Sequence, residues 1–163
     1  MKIAVGSDHG GFERKKSVVR TLRKLGHTVD DFGTDSIESC DYPDYAAKVG
    51  EAVARGQAER GVLVCGTGIG MSIAANKFPK VRAAVVWNVK TAALASEHNK
   101  ANVLCLSGRG GLIRPALIPK MLRAWLTTPF GASRHERRVN KISKIEVEAG
   151  LALPHKSARR AVS

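Results

Sequence analysis

Five short apolar runs punctuate this chain, and each is followed by a stretch of helical pattern. KIAVGS (2–7), HTVDDF (27–32), GVLVC (61–65), RAAVV (82–86) and NVLCL (102–106) have the length and β-branched content of strands. Between them, Gly11 to Leu25 is amphipathic and stopped by Gly26. Tyr42 and Pro43 open a helix that runs to about Arg55, and MSIAANK (71–77) and VKTAALASEHN (89–99) follow the third and fourth runs. Such alternation calls for parallel strands, because a parallel connection needs the span of a crossover helix. Strands that are apolar along their whole length are covered on both sides. The expectation is an α/β fold, a Rossmann-like five-stranded parallel sheet with helices on both faces and right-handed crossovers. Beyond the fifth strand, Gly111 to about Thr127 reads as a helix whose start Pro115 and Pro119 shift or kink, and His135 to about Glu148 as a last one.

With 163 residues there is material for one substantial core and not for two domains. Residues 1–148 are read as that domain and 149–163 as a basic tail; from Leu151 it lacks periodicity and is read as flexible. The first apolar run is broken at Gly6 and Asp8, and no run approaches the roughly 20 apolar residues of a membrane span, so a soluble, cytoplasmic protein without membrane contact is expected. Three cysteines, Cys40, Cys65 and Cys105, without CxxC spacing suggest neither a disulfide framework nor a metal site. Cys105, inside NVLCL, reads as a small buried hydrophobe.

The net charge of +13 raises the question of nucleic acid. Residues 134–163 hold eight of the 27 Lys and Arg but only three of the 14 Asp and Glu, so the excess is denser there yet spread throughout. In ERKKSVVRTLRKL the basic residues lie opposite an apolar stripe, the usual pattern of a solvated face. Aromatic residues make up only 5% and no recognition motif is present, so the charge is better matched to small phosphorylated anions.

Chemistry is expected where the third strand ends. In GVLVCGTGIG the strand delivers Cys65 to the open edge of the sheet, directly before Gly66, Gly68 and Gly70. Alternate glycines admit a ligand close to the backbone and let amide N–H groups converge on an anion, while a following helix start favours the thiolate of Cys65. The bland reading is a tight strand-to-helix turn. It is not a dinucleotide loop, since Met71 stands where G-x-G-x-x-G needs its third glycine, and no Walker lysine is present. In parallel sheets ligands sit at the carboxyl ends of the strands. Asp8 and His9, Cys65, Trp87 and Asn88, and Arg109 follow strands one, three, four and five in that way.

GSDHGG, DYPDYA, CGTGIG with SIAANK, EHNKANVLCLSGR and SRHERRV together resemble the ribose-5-phosphate isomerase B family, which includes the galactose-6-phosphate isomerase subunits; the likeness runs from residue 1 to about 148. The resemblance implies an aldose–ketose isomerase that works through an enediolate and needs no metal or nucleotide cofactor. It makes Cys65 the base between carbons 2 and 1, Thr67 a residue that positions it or binds substrate, and the amides from Gly66 through Gly68 and Ile69 to Gly70 an oxyanion hole. One branch of the family has a carboxylate base just after the loop, where this chain has Met71. His98 corresponds to the histidine that opens the sugar ring, a step suited to a group titrating near neutrality. Asp8, Tyr42 and Asn99 correspond to contacts with sugar hydroxyls, although Asp8 alone reads equally as a helix cap and Tyr42 as packing. His9, Arg109, Arg134 and Arg138 match the phosphate clamp, and Arg137, out of register, reads as a solvated arginine.

The resemblance further implies a homodimer with shared active sites, which can pair into a tetramer. Trp87 and the basic tail depart from the family pattern, so a tetrose, allose or galactose phosphate stands as an alternative substrate. A phosphate- or nucleic-acid-binding module is the non-enzyme alternative.

Overall fold

A computed structural model describes residues 1–151; the rest of the expected tail, 152–163, lies outside the described residues. The strands are β1 (Lys2–Ser7), β2 (Thr28–Asp31), β3 (Arg60–Cys65), β4 (Ala83–Val85) and β5 (Val103–Ser107), all parallel in the order β2-β1-β3-β5-β4. The helices are α1 (Phe12–Lys24), α2 (Tyr42–Ala54), α3 (Ile69–Ala75), α4 (Val89–Asn99), α5 (Ile118–Thr127) and α6 (Ala132–Glu148). The sheet is the expected one.

Strand periodicity divides the core in two. Val62 and Val64 of β3, with Leu104 and Leu106 of β5, face α1, α4 and α5, where Leu22, Ala92, Met121 and Trp125 are buried. Leu63, Cys65 and Cys105 face the other way, against Val49 of α2 and Met71 of α3. Each fully buried side chain of this size contributes about 1.5–3 kcal/mol. Trp125 is wholly buried, so its indole N–H needs a partner and donates to the Ala101 carbonyl at 2.9 Å.

The central strands β1, β3 and β5 are sealed by neighbours, and the two edges are closed differently. β2 carries Asp30 in an ion pair with Lys2 (2.9 Å). At β4 the Asn76 carboxamide acts as a strand would, accepting from the Ala83 N–H at 2.8 Å and donating to the Ala83 carbonyl at 2.9 Å.

Two helix starts differ in detail from expectation. The helix expected from Gly111 begins at Ile118, because Gly111 has φ 89° and Pro115 opens a separate 3-10 turn, Pro115–Leu117. α6 is counted from Ala132, but Ser133 (φ 33°, ψ −126°) breaks it, so the continuous helix begins beside the expected His135. No helix among the described residues is long and apolar enough to cross a membrane.

Candidate active site

Between β1 and β3 the chain reverses the direction in which it adds strands, the switch point where such sheets form a crevice. Asp8 and His9 leave β1 there, and Cys65 ends β3. Cys65 is 4% exposed, and its sulfur receives the Gly68 N–H at 3.1 Å, a contact suited to negative charge on sulfur. Gly68 makes that turn at φ 84°, in the left-handed region a side chain would strain. The Thr67 hydroxyl accepts from the Ile69 N–H at 3.2 Å, so it shapes the same turn. Ile69 starts α3 and its side chain is exposed.

The other two glycines serve close approach. A β-carbon on Gly70 would lie 2.7 Å from Tyr42 Cζ, so the Tyr42 ring rests against the loop; one on Gly66 would lie 3.3 Å from Arg109 Nε. The loop is stapled to the end of β5: Gly108 and Arg109 donate their amides to the Cys65 and Gly66 carbonyls at 2.7 and 3.2 Å, and the Ser107 hydroxyl donates to Gly66 at 2.8 Å. Arg109 is thereby held over the glycines.

Asp8 is buried and accepts the Gly11 N–H at 3.0 Å, so it is a cap, the alternative reading of that residue, at the mouth of the site. His9 Nδ1 accepts the Cys40 N–H at 3.2 Å, which leaves Nε2 to carry the proton of a neutral ring. Cys40 was not legible as a site neighbour, since nothing in its surroundings in the sequence forecasts that contact. Trp87 stands on the same edge at the end of β4, with 53% of its surface exposed.

His98, Asn99, Arg134 and Arg138 do not join this group within one chain. α4 leaves the carboxyl edge after β4 and runs back across the sheet for about 16 Å, so its last residues, His98 and Asn99, lie at the amino edge. They also lie on the α1/α4/α5 side, whereas Cys65 faces α2 and α3. Lys100 ends the helix in a left-handed conformation (φ 49°, ψ 38°). Asn99 lines a groove of about 490 Å³ with Asn76, Arg82, Ile142 and Ile145.

The start of α6 is tied to the end of α4 by the Gly131 N–H on the Glu97 carbonyl at 2.9 Å. His135, 9% exposed, stacks on His98 with ring centroids 4.1 Å apart and planes 10° from parallel. Burial first, then the charges of His98, Arg134 and Arg138, lowers the His135 pKa below its ordinary value. Arg134 follows the break at Ser133, and Arg134 and Arg138 flank the buried His135 with exposed side chains. The structure therefore carries two separate clusters, candidate half-sites: a thiol loop and a histidine–arginine cluster. Cys105 is fully buried, and burial pushes its thiol pKa far up, leaving Cys65 the thiol in the loop. Among the described residues no group of three or more His, Cys, Asp or Glu is placed to hold a metal ion.

Comparison with known proteins places the whole fold in one family. The family described as ribose/galactose isomerase matches residues 3–142. Ribose-5-phosphate isomerase B of Escherichia coli is 44% identical over 145 residues, covering 89% of this chain and 96% of that protein. The structure of ribose-5-phosphate isomerase B from Clostridium thermocellum superposes with a TM-score of 0.87 at 46% identity, covering 91% and 99% of the two chains. That of Mycoplasma genitalium, solved with bound ribulose-5-phosphate, superposes with 0.85 at 40% identity, covering 90% and 97%.

Proposed function

The chain belongs to the ribose/galactose isomerase family, and from that premise we propose that it interconverts ribose 5-phosphate and ribulose 5-phosphate through an enediolate, with Cys65 as the base. The observation that carries this reading is the Cys65 sulfur held 3.1 Å from a backbone amide at the centre of the glycine loop. On the open-chain aldose the thiolate takes the proton from carbon 2, and the electron pair moves into the C1–C2 bond and onto O1. The amides from Gly66 to Gly70 and Thr67 meet that charge as an oxyanion hole. The O2 hydroxyl passes its proton to O1, and as the O2 electron pair re-forms the carbonyl at carbon 2 the proton on sulfur returns to carbon 1, leaving the ketose and the thiolate. Asp8, Tyr42 and Asn99 contact the sugar hydroxyls, and His9, Arg109, Arg134 and Arg138 hold the phosphate as paired guanidinium forks and an imidazole.

His98 opens the furanose by moving a proton between the ring oxygen and the anomeric hydroxyl. Because His98 and the arginines stand at the far end of the sheet from Cys65, the complete site takes its thiol loop from one chain and its histidine–arginine cluster from a second. The homodimer is then the functional unit. The exposed Ile69 and Ile73, one turn apart on α3 beside the loop, offer apolar surface for that contact. No metal or organic cofactor enters any step.

Purified protein assayed against tetrose, pentose and hexose phosphates should turn over ribose 5-phosphate best. Cys65→Ala should lower turnover by about 10²–10⁴-fold with phosphate affinity intact. Cys105→Ala should lose about 1 kcal/mol of stability from the core and keep near-normal turnover. Wild-type rates from Cys65→Ala would remove the thiol from the mechanism.

A further inference from the structure

The His98–His135 stack is the one feature of the second half-site that the proposed chemistry leaves unused. An exposed catalytic imidazole at the last turn of a helix has two torsions to settle, and free rotation would spread its nitrogens over several directions. Here the His98 side chain, 36% exposed, lies flat against a ring that is itself nearly enclosed. The His135 ring lies beside the Gly131 backbone, where a β-carbon would meet its Cδ2 at 3.8 Å, and Val139 is the next buried residue of α6 on that face. Gly131 in turn is bonded to the Glu97 carbonyl, and the Ser96 hydroxyl donates to the Thr128 carbonyl at 2.8 Å, so both rings ride on one clasped unit of α4 and α6.

Resting on the assignment of His98 to ring opening, we infer that His135 is a positioning residue for that step: its stacked ring fixes the plane in which His98 presents its nitrogens and limits the pair to one proton. Two imidazolium rings 4.1 Å apart repel strongly in a partly desolvated place. The charged groups around His135 are His98 and Glu97 from α4 and Arg134 and Arg138 from α6; residues 128–131, which join α5 to α6, contribute none. Three of the four are basic and disfavour a charge on His135, the more buried of the two rings. Arg134 and Arg138, which the proposed function assigns to the phosphate, thereby also act on the stack.

Two variants separate this from a packing role. His135→Ala removes the ring, while His135→Phe keeps a stacking ring without a titrating group. With ribose 5-phosphate, His135→Ala should lose roughly tenfold to hundredfold in kcat at nearly constant KM, and His135→Phe should recover most of it. A tetrose 4-phosphate, whose phosphorylated O4 leaves no hydroxyl for a furanose ring, should be isomerised at close to the wild-type rate by both. Equal losses on the two substrates would mark His135 as merely structural and overturn the inference.

Imidazole NMR titration gives a readout free of catalysis, with the His98 signal identified by its disappearance in His98→Asn. The wild-type His98 curve should show the two inflections of a coupled pair, and His135→Phe should reduce it to a single step. An unchanged His98 curve in His135→Phe would overturn the one-proton coupling. Should His98→Asn itself keep full activity on ribose 5-phosphate, the ring-opening assignment falls, and the catalytic half of the inference with it. Loss in His98→Asn beside full activity in His135→Ala overturns the inference alone.

Discussion

The two half-sites are built by different means. Around Cys65 the backbone does the work: an amide on sulfur, two amides and a hydroxyl stapling the loop to β5, and glycines that admit Tyr42 and Arg109. Around His98 the side chains do it: a ring on a ring, with exposed arginines beside them. A backbone-built site tolerates little change of position but needs few particular side chains, whereas a side-chain-built one is only as rigid as its clasp. On the proposed chemistry the difference suits the two tasks, since an enediolate charge is best met by preorganised dipoles and a phosphate dianion by exposed cations.

The largest test of this division mixes two inactive chains. Cys65→Ala and His98→Asn each spoil one half-site, and in a mixed dimer one of the two shared sites is spoiled twice while the other is whole. Co-refolding equal amounts should restore about a quarter of wild-type activity from two nearly dead parents. No recovery in a sample shown to contain mixed dimers would place both half-sites within one chain's reach and break the comparison.

A smaller effect is expected at the arginines. Arg134→Ala and Arg138→Ala should each raise KM for phosphorylated substrate by about 10-fold and weaken inorganic phosphate binding, as a charged hydrogen bond lost to solvent does. Arg137, about 100° round the helix from Arg138, should change KM little. Equal damage from Arg137→Ala would overturn the register of the clamp. The smallest effect belongs to Gly70→Ala, whose new methyl displaces the Tyr42 ring and not the backbone; KM should rise a few-fold with thermal stability nearly unchanged. A loss of folding instead would show that Tyr42 supports the loop.

The sequence made the first half-site readable because its parts are contiguous: a strand, a thiol and spaced glycines announce a backbone-built anion site. Even so, which glycine needed a positive φ was hidden, for only Gly68 does, while Gly66 and Gly70 answer to Arg109 and Tyr42 brought in from elsewhere. The second half-site was reached through family resemblance, since a histidine late in a helix carries no local signal. Its stack on His135 joins residues 37 positions apart and appears only once α4 and α6 are packed. For Asp8 the geometry shows the cap, while its contact with sugar hydroxyls rests on the resemblance. The start of α5 is shifted from Gly111 as Pro115 led one to expect, though the size of the shift, to Ile118, appears only with the left-handed Gly111 and the separate 3-10 turn in place.

The Asn76 clasp on Ala83 bears on how two such chains can meet. An unguarded edge strand invites another chain to add its own strand, and many assemblies grow that way. Here a side-chain amide already occupies both groups of Ala83, and at the opposite border Asp30 and Asp31 place charge along the rim. Neither rim is a template for a continuous inter-chain sheet, so each protomer's strands end with its own chain. In the proposed dimer, recognition between copies would then fall to helix faces and loops, the surfaces that carry the thiol loop and the histidine–arginine cluster, and a block to runaway polymerisation would double as a guide to productive pairing.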